Sequence, residues 1–209
     1  MKKNIKSIIG ILLAVSLVFG LVGCGEVKKA ESSVNGMFTA LKSSDLNKAQ
    51  EYINLDELNL FKDKDKLTGN PEVFMKALFS KLGYTIISSE KIDSNTVVVK
   101  TKITAVDMKP VLKEFISKAM QFAFQNAFAE GGKQLTDEEL NKKYEQVFIE
   151  CTSKKDLAMV TNTVDIKVVN VDGNWKIKGD DALVDALLGG LKEASDELKN
   201  SFNLKDSEK

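Results

Sequence analysis

The sequence predicts an α+β fold, in which a curved four-stranded antiparallel sheet packs on N-terminal helices. Apolar residues recur at helical spacing as far as residue 82, whereas 84–106 and 159–178 alternate between apolar and polar residues, as strands do. Asp172-Gly173, between two alternating runs, is a strong hairpin signal. Helical spacing returns between the two pairs of strands, so we expect a helical hairpin inserted at about 107–156.

Three helices are expected before the sheet, over 27–41, 46–53 and 71–82. A charged stretch at 62–66 separates the second from the third. Its Asp63 and Asp65 could suggest a calcium loop, but Leu67 and Thr68 stand where that loop needs a ligand and a glycine. We therefore predict a solvated loop and no metal site.

The strands are expected at 84–91, 96–106, 159–171 and 174–178. In the last strand Trp175 and Ile177 share one face, which predicts that the tryptophan is buried against the helices.

The inserted hairpin is expected to begin with a helix over 110–130, which Gly131-Gly132 ends. Thr136 and Glu139 have the spacing of a capping box at the start of the second helix. After the sheet, one extra C-terminal helix is predicted from about residue 181. These elements form a single domain over 26–203, followed by a frayed tail at 204–209.

Composition excludes several classes of function. The 209-residue chain has 30 basic and 30 acidic residues and no histidine, and every basic residue is lysine. Balanced charge gives no electrostatic reason to expect a nucleic-acid partner. Without histidine the commonest metal ligand and the usual general base near neutral pH are missing, so no cofactor is predicted. Cys151 is expected to be a small buried residue.

The N-terminus has the features of a secretory signal. Lys2, Lys3 and Lys6 precede an apolar run at 8–22, which is too short for a comfortable membrane span. The run ends in Leu21-Val22-Gly23-Cys24, which resembles the bacterial lipobox. An ordinary signal peptide and a retained membrane anchor are the alternatives.

The lipobox resemblance implies that residues 1–23 are removed by cleavage between Gly23 and Cys24, and that Cys24 carries diacylglycerol and an acyl chain such as palmitate. Residues 24–25 would then be the lipidated anchor and a short linker. The chain would be held at the outer face of the cell membrane, with the membrane as a partner through that lipid.

Two further segments carry a resemblance to a known fold. Phe38-Thr39-Ala40-Leu41-Lys42-Ser43-Ser44-Asp45 looks like a helix–turn–helix start, and Val171-Asp172-Gly173-Asn174-Trp175-Lys176-Ile177 like a closing hairpin. Together they resemble the nuclear-transport-factor-two-like (cystatin-like cone) fold, as found in Gram-positive lipoproteins of unknown function. The likeness covers about 26–106 and 158–178. It implies a fold and a compartment but no catalytic residues.

The candidate ligand groove is the phenylalanine-rich helix, with Phe115, Phe122, Phe124 and Phe128. These side chains occupy more than one helix face, so they either form core or partly line an open groove. We expect Phe124 and Phe128 to lie nearest the open side. Asp165 is expected to point to solvent, and Tyr84 to lie at the edge of the core.

These observations favour a non-enzymatic extracytoplasmic module that binds a small apolar ligand or an envelope protein. One alternative is a structural or stress-related envelope protein with no ligand. Another is an enzyme that uses aspartate, tyrosine or lysine in the cone.

The lipid anchor is directly testable. Cys24→Ala is expected to abolish incorporation of labelled fatty acid and to leave an uncleaved or soluble precursor, because Cys24 supplies the lipobox thiol to which the lipid would be attached. Metabolic labelling followed by gel electrophoresis measures both effects. Label that persists in the variant would contradict the assignment.

Overall fold

The computed structural model describes residues 24–53, 71–129 and 134–206. In chain order the elements are α1 (Cys24–Lys42), α2 (Leu46–Gln50), α3 (Pro71–Phe79), β1 (Gly83–Lys91), β2 (Thr96–Val106), α4 (Met108–Ala127), α5 (Asp137–Thr152), β3 (Met159–Val171), β4 (Asn174–Ile177), α6 (Asp181–Leu187) and α7 (Leu191–Asp206). The predicted loop at 62–66 lies outside the described residues, and so do Gly131 and Gly132, which were predicted to end the first helix of the hairpin.

The four strands form one open antiparallel sheet in the order β1-β2-β3-β4. Its register pairs Val97 with Val168 and Val99 with Ile166, and all four side chains are buried on one face. This inner face packs on helices, whereas Lys100 and Asp165 are paired on the opposite, outer face. The predicted α+β class, with helices between strands two and three, is confirmed.

A β-bulge between Ile86 and Ser88 shifts the pairing of β1 with β2. The extra residue reverses the alternation of side chains, as bulges do. Ser89 therefore faces α1, where its hydroxyl donates to Glu31 Oε1 at 2.7 Å, and Ile87 is left 55% exposed. The alternation along β1 could not reveal this change of face.

Helix α1 covers the inner face of the sheet. It runs antiparallel to β1, since Glu26 pairs with Lys91 and the Tyr84 hydroxyl donates to Asn35 Oδ1 at 2.8 Å. On the other edge, Ser33 Oγ donates to the carbonyl of Trp175 at 2.8 Å. The fully buried side chains of α1 include Val34, Met37, Phe38 and Leu41, which form the centre of the core.

Trp175 is buried, as predicted, with 7% of its surface exposed. It follows the β3–β4 turn, where Asp172 and Gly173 both adopt positive φ. A two-residue turn of that kind matches the twist of the strands it joins. The predicted hairpin turn is therefore confirmed.

The inserted hairpin consists of α4 and α5. The side chain of Asp107 caps α4 by accepting from Lys109 N, and the predicted capping box of Thr136 and Glu139 is present at α5. Within α4, Lys118 lies 3.1 Å from Glu114. Across the hairpin, Lys118 lies 2.6 Å from Glu150, and Glu114 lies 2.5 Å from Lys154, which follows α5. These ion pairs align the two helices in antiparallel register.

The C-terminal region differs from the single helix that was predicted. Two helices, α6 and α7, are separated at Leu188, Gly189 and Gly190, and both glycines have positive φ. The carbonyl of Gly189 accepts from Met108 N at 2.9 Å, so the break brings the chain against the start of α4. The apolar spacing continues through the break, which is why it predicted one helix. Helix α7 continues to Asp206, within the segment predicted as a tail.

Gly189→Ala is expected to destabilise the fold for two reasons. Its φ of +58° costs an alanine roughly 1–2 kcal/mol, and the added Cβ would collide with the carbonyl oxygen of Val106. Gly190→Ala is the matched control, because its φ is +75° but its Cβ would meet no atom within 4 Å. Thermal unfolding should show the larger loss for Gly189→Ala. Equal losses would contradict the close approach to Val106.

Glu114→Gln is expected to weaken the hairpin at neutral pH but not in acid. Hydrogen bonds from Lys154 and then Lys118 hold the pKa of Glu114 below its ordinary value of 4.5. A depressed pKa adds stability above the ordinary value, and that stability is lost as the pH falls through the folded-state pKa. The thermal midpoints of wild type and variant should therefore converge below pH 4.5.

Glu138→Gln is the control, since Glu138 pairs with Lys142 on an exposed helix face. An exposed pair of this kind is worth little. A pH-independent effect of Glu114→Gln would show that the network contributes through packing and not through charge.

Candidate binding surface on the helical hairpin

The base of the hairpin is an aromatic cluster. Phe148 of α5 stacks on Phe74 of α3 at a centroid distance of 4.6 Å and meets the edge of Phe115 at 5.8 Å. Phe148 is buried and Phe115 is half-buried. Aromatic pairs in these geometries add stability beyond the area they bury. Phe115 therefore joins the hairpin to the body.

The second half of α4 is covered by α5 on one side. The ring of Phe122 meets Tyr144 edge-on at 6.3 Å, and Asn126 Oδ1 accepts from Leu135 N at 2.8 Å. Between residues 117 and 128, the only side chains that are not exposed are Lys118, Ala119, Phe122 and Asn126. This part of the helix thus presents most of its circumference to solvent.

Three large apolar side chains lie along that exposed side. Met120, Phe124 and Phe128 are four residues apart, so they form one row on the helix, and they are 59%, 67% and 69% exposed. The rings of Phe124 and Phe128 contact each other at a centroid distance of 4.6 Å. We call these three residues the apolar stripe. Contiguous exposed apolar side chains are a common feature of interaction sites.

The stripe also lies in an uncharged stretch of helix. Residues 119–129 include no lysine, aspartate or glutamate, although 29% of the whole chain is charged. Protein interfaces are depleted of charge at their centre and enriched in aromatic residues and methionine. The composition of this stretch is therefore typical of an interface.

The structure divides the four phenylalanines of the predicted groove into two pairs. Phe115 and Phe122 contact neighbouring helices, whereas Phe124 and Phe128 face solvent, on the side where they were expected. Met120 was not singled out as part of the surface, although its spacing of four residues from Phe124 was a visible signal. Whether these residues bind a ligand stays a prediction.

The other candidates from the sequence lie elsewhere. Asp165 is on the outer face of the sheet, 3.8 Å from Lys100, with 60% of its side chain exposed, as predicted. Tyr84 stacks on Phe38 at 4.2 Å at the edge of the core, also as predicted. The two residues therefore face opposite sides of the sheet and do not form one site.

Cys151 is fully buried, as expected. Burial raises the pKa of its thiol, with a smaller contribution from the nearby carboxylate of Glu114. Among the described residues, no group of three or more histidine, cysteine, aspartate or glutamate side chains is placed to hold a metal ion.

Two shallow surface clefts are lined largely by polar and charged residues. One, of about 490 Å³, lies beside β4 and is lined by residues that include Lys29, Tyr52 and Lys176. The other, of about 500 Å³, lies between α6 and α7 and is mainly acidic. Neither is lined by Phe124 or Phe128. The apolar stripe is therefore an exposed helix face outside both clefts.

Cys24 is the first residue of α1, and Gly23 lies outside the described residues. Within the described ranges, none of the helices is long and apolar enough to cross a membrane.

Comparison with known proteins identifies a family. No curated protein matches the chain. A solved structure of ycdA from Bacillus subtilis, described as a candidate lipoprotein, is similar to this chain, with a TM-score of 0.44 and 18% sequence identity. The match covers 67% of this chain and 45% of the ycdA chain. This chain therefore spans less than half the length of ycdA. Residues 85–191, just over half of the chain, match the family described as a domain of unknown function, DUF5105. The chain belongs to the DUF5105 family.

Proposed function

We propose that the protein is a lipid-anchored extracytoplasmic module that binds another envelope protein through the apolar stripe on its helical hairpin. The observation that carries the proposal is the exposed, uncharged face formed by Met120, Phe124 and Phe128. A helix face of this composition fits the apolar surface of a partner protein.

The position of the stripe supports a protein partner. Helix α1 begins at Cys24 next to the end of β1, because Glu26 pairs with Lys91. Strand β2 starts at that end and runs over 11 residues to Val106, and α4 begins two residues later. The hairpin is thus attached at the end of the sheet opposite Cys24, so an anchor at Cys24 would leave this end of the sheet farther from the bilayer.

The anchor itself rests on the sequence. The positive residues, the short apolar run and Leu21-Val22-Gly23-Cys24 favour lipidation at Cys24 over an ordinary signal peptide. The fold adds that α1 starts at Cys24, so the domain would follow the lipid without a long linker. We retain the nuclear-transport-factor-two-like assignment as part of the proposal; helices followed by an antiparallel meander support it.

We further propose that the module is not an enzyme. Asp165 is exposed and paired with a lysine, and Tyr84 donates its hydroxyl to Asn35. Burial raises the pKa of the Cys151 thiol, which disfavours the nucleophilic thiolate. Each of these groups has a structural role, and a binding function requires none of them.

Photo-crosslinking in intact cells tests the proposal. A photoreactive amino acid at Phe124 is expected to give a product with one envelope protein, whereas the same probe at Lys143, an exposed position on α5, should not. With the purified partner, Phe124→Ser/Phe128→Ser should weaken binding at least tenfold, because truncating an aromatic residue at the centre of an interface costs about 2 kcal/mol or more when it is a hot spot. The thermal midpoint should barely change, since both rings are mostly exposed.

Other outcomes would contradict the proposal. Products containing only a second copy of the chain would make the stripe a self-association surface. Stoichiometric binding of a small apolar dye, lost in the double variant and with no cross-linked protein, would favour the small-ligand alternative. A double variant that unfolds would show that the rings belong to the core.

A further inference from the structure

A second exposed apolar surface lies at the end of the molecule where α1 begins. The β1–β2 turn and the β3–β4 turn meet there, because Asn170 N donates to the carbonyl of Asn95 at 2.8 Å. Glu26, in the first turn of α1, pairs with Lys91, the last residue of β1. Cys24 and both turns are therefore at the same end of the sheet.

The register places apolar side chains together at this end of the outer face. Ile92 donates its backbone N–H to the carbonyl of Thr96, and Thr96 pairs with Val169. Ile92 and Val171 are 56% and 53% exposed. Val98 and Val169, on the same face, are half-buried. We call Ile92, Val98, Val169 and Val171 the apolar tip.

Lysines follow the apolar tip along the same face. The exposed ones are Lys100 and Lys102 of β2, Lys167 of β3, and Lys178, whose N–H donates to the carbonyl of Lys167. Lys176, also on this face, is half-buried, and its ammonium donates to the carbonyl of Glu51. The acids on this face of the sheet are Glu90 and Asp165. A short apolar surface followed by flexible lysines is suited to the boundary between lipid tails and phosphate headgroups.

We infer that the apolar tip and these lysines form a membrane-contact surface, which docks the end of the outer face nearest Cys24 on the phosphate headgroups of the bilayer that holds Cys24. The inference rests on the anchoring proposed above. Because α1 begins at Cys24, the lipid would hold the tip beside the bilayer, and weak contacts are then sufficient to fix orientation. Docking would fix the orientation of the domain on the membrane, whereas the lipid alone would only tether it.

The turn residues limit how deeply the tip enters. Asp93 and Asp172 are both exposed. A hydrogen bond from the backbone of Asn95 lowers the pKa of Asp93, which therefore stays ionised. An ionised carboxylate is costly to remove from water. The tip therefore reaches the headgroup level and does not enter the acyl chains.

Lysine footprinting on vesicles tests the inference. The lipidated chain, purified from its own membrane, is reconstituted in vesicles of phosphatidylcholine and phosphatidylglycerol and treated with an amine-reactive reagent. Mass spectrometry should show Lys100, Lys102, Lys167 and Lys178 labelled several-fold less than Lys143 on the hairpin. Ile92→Ser/Val171→Ser should abolish that protection. Met159→Ser is the matched control, because Met159 is 43% exposed at the opposite end of β3.

Flotation of the vesicles distinguishes a failure of the lipid anchor from a failure of docking. A chain that floats while its four lysines stay as reactive as Lys143 is anchored but not docked, which overturns the inference alone. A chain that does not float overturns the anchor and the inference together. Protection that survives in Ile92→Ser/Val171→Ser would also overturn the inference, since something other than the apolar tip would cover the lysines.

Discussion

The contact between α1 and the inner face of the sheet determines the rest of the structure. A four-stranded sheet is stable only when one face is buried, and α1, which contacts all four strands, supplies cover with side chains such as Phe38 and Leu41. Polar contacts at both sheet edges, Tyr84 to Asn35 and Ser33 to Trp175, fix the direction of the helix. Because α1 lies on the inner face, the lysine-bearing face of the sheet is left to solvent.

Much of this fold was predictable because its elements follow simple periodicities. Alternation identified β2 and β3, and Asp172-Gly173 identified the hairpin that positions Trp175. The break at Gly189 was not predictable, because it depends on a close approach to Val106 from a distant part of the chain. The bulge in β1 was equally hidden, since pairing with β2 and not the sequence of β1 decides which side chains face α1.

The candidate surfaces, like the fold, were predictable only in part. The phenylalanine content of α4 was plain in the sequence, and Phe124 and Phe128 are exposed as expected. That Phe115 and Phe122 would be covered depended on where α3 and α5 pack. The apolar tip was missed because Ile92 and Val171 belong to separate hairpins, and only the strand register brings those turns together.

If the protein works outside the cytoplasm, as proposed, Cys151 is in a compartment where thiols readily form disulfides. Its sulfur is fully buried at the base of the hairpin, and burial raises the pKa of the thiol, so the reactive thiolate is both rare and inaccessible. Two folded molecules are thus protected from becoming covalently linked through this position. We expect a thiol reagent to modify the residue only when α5 separates from the body, so the rate of modification would report the opening of the base of the hairpin.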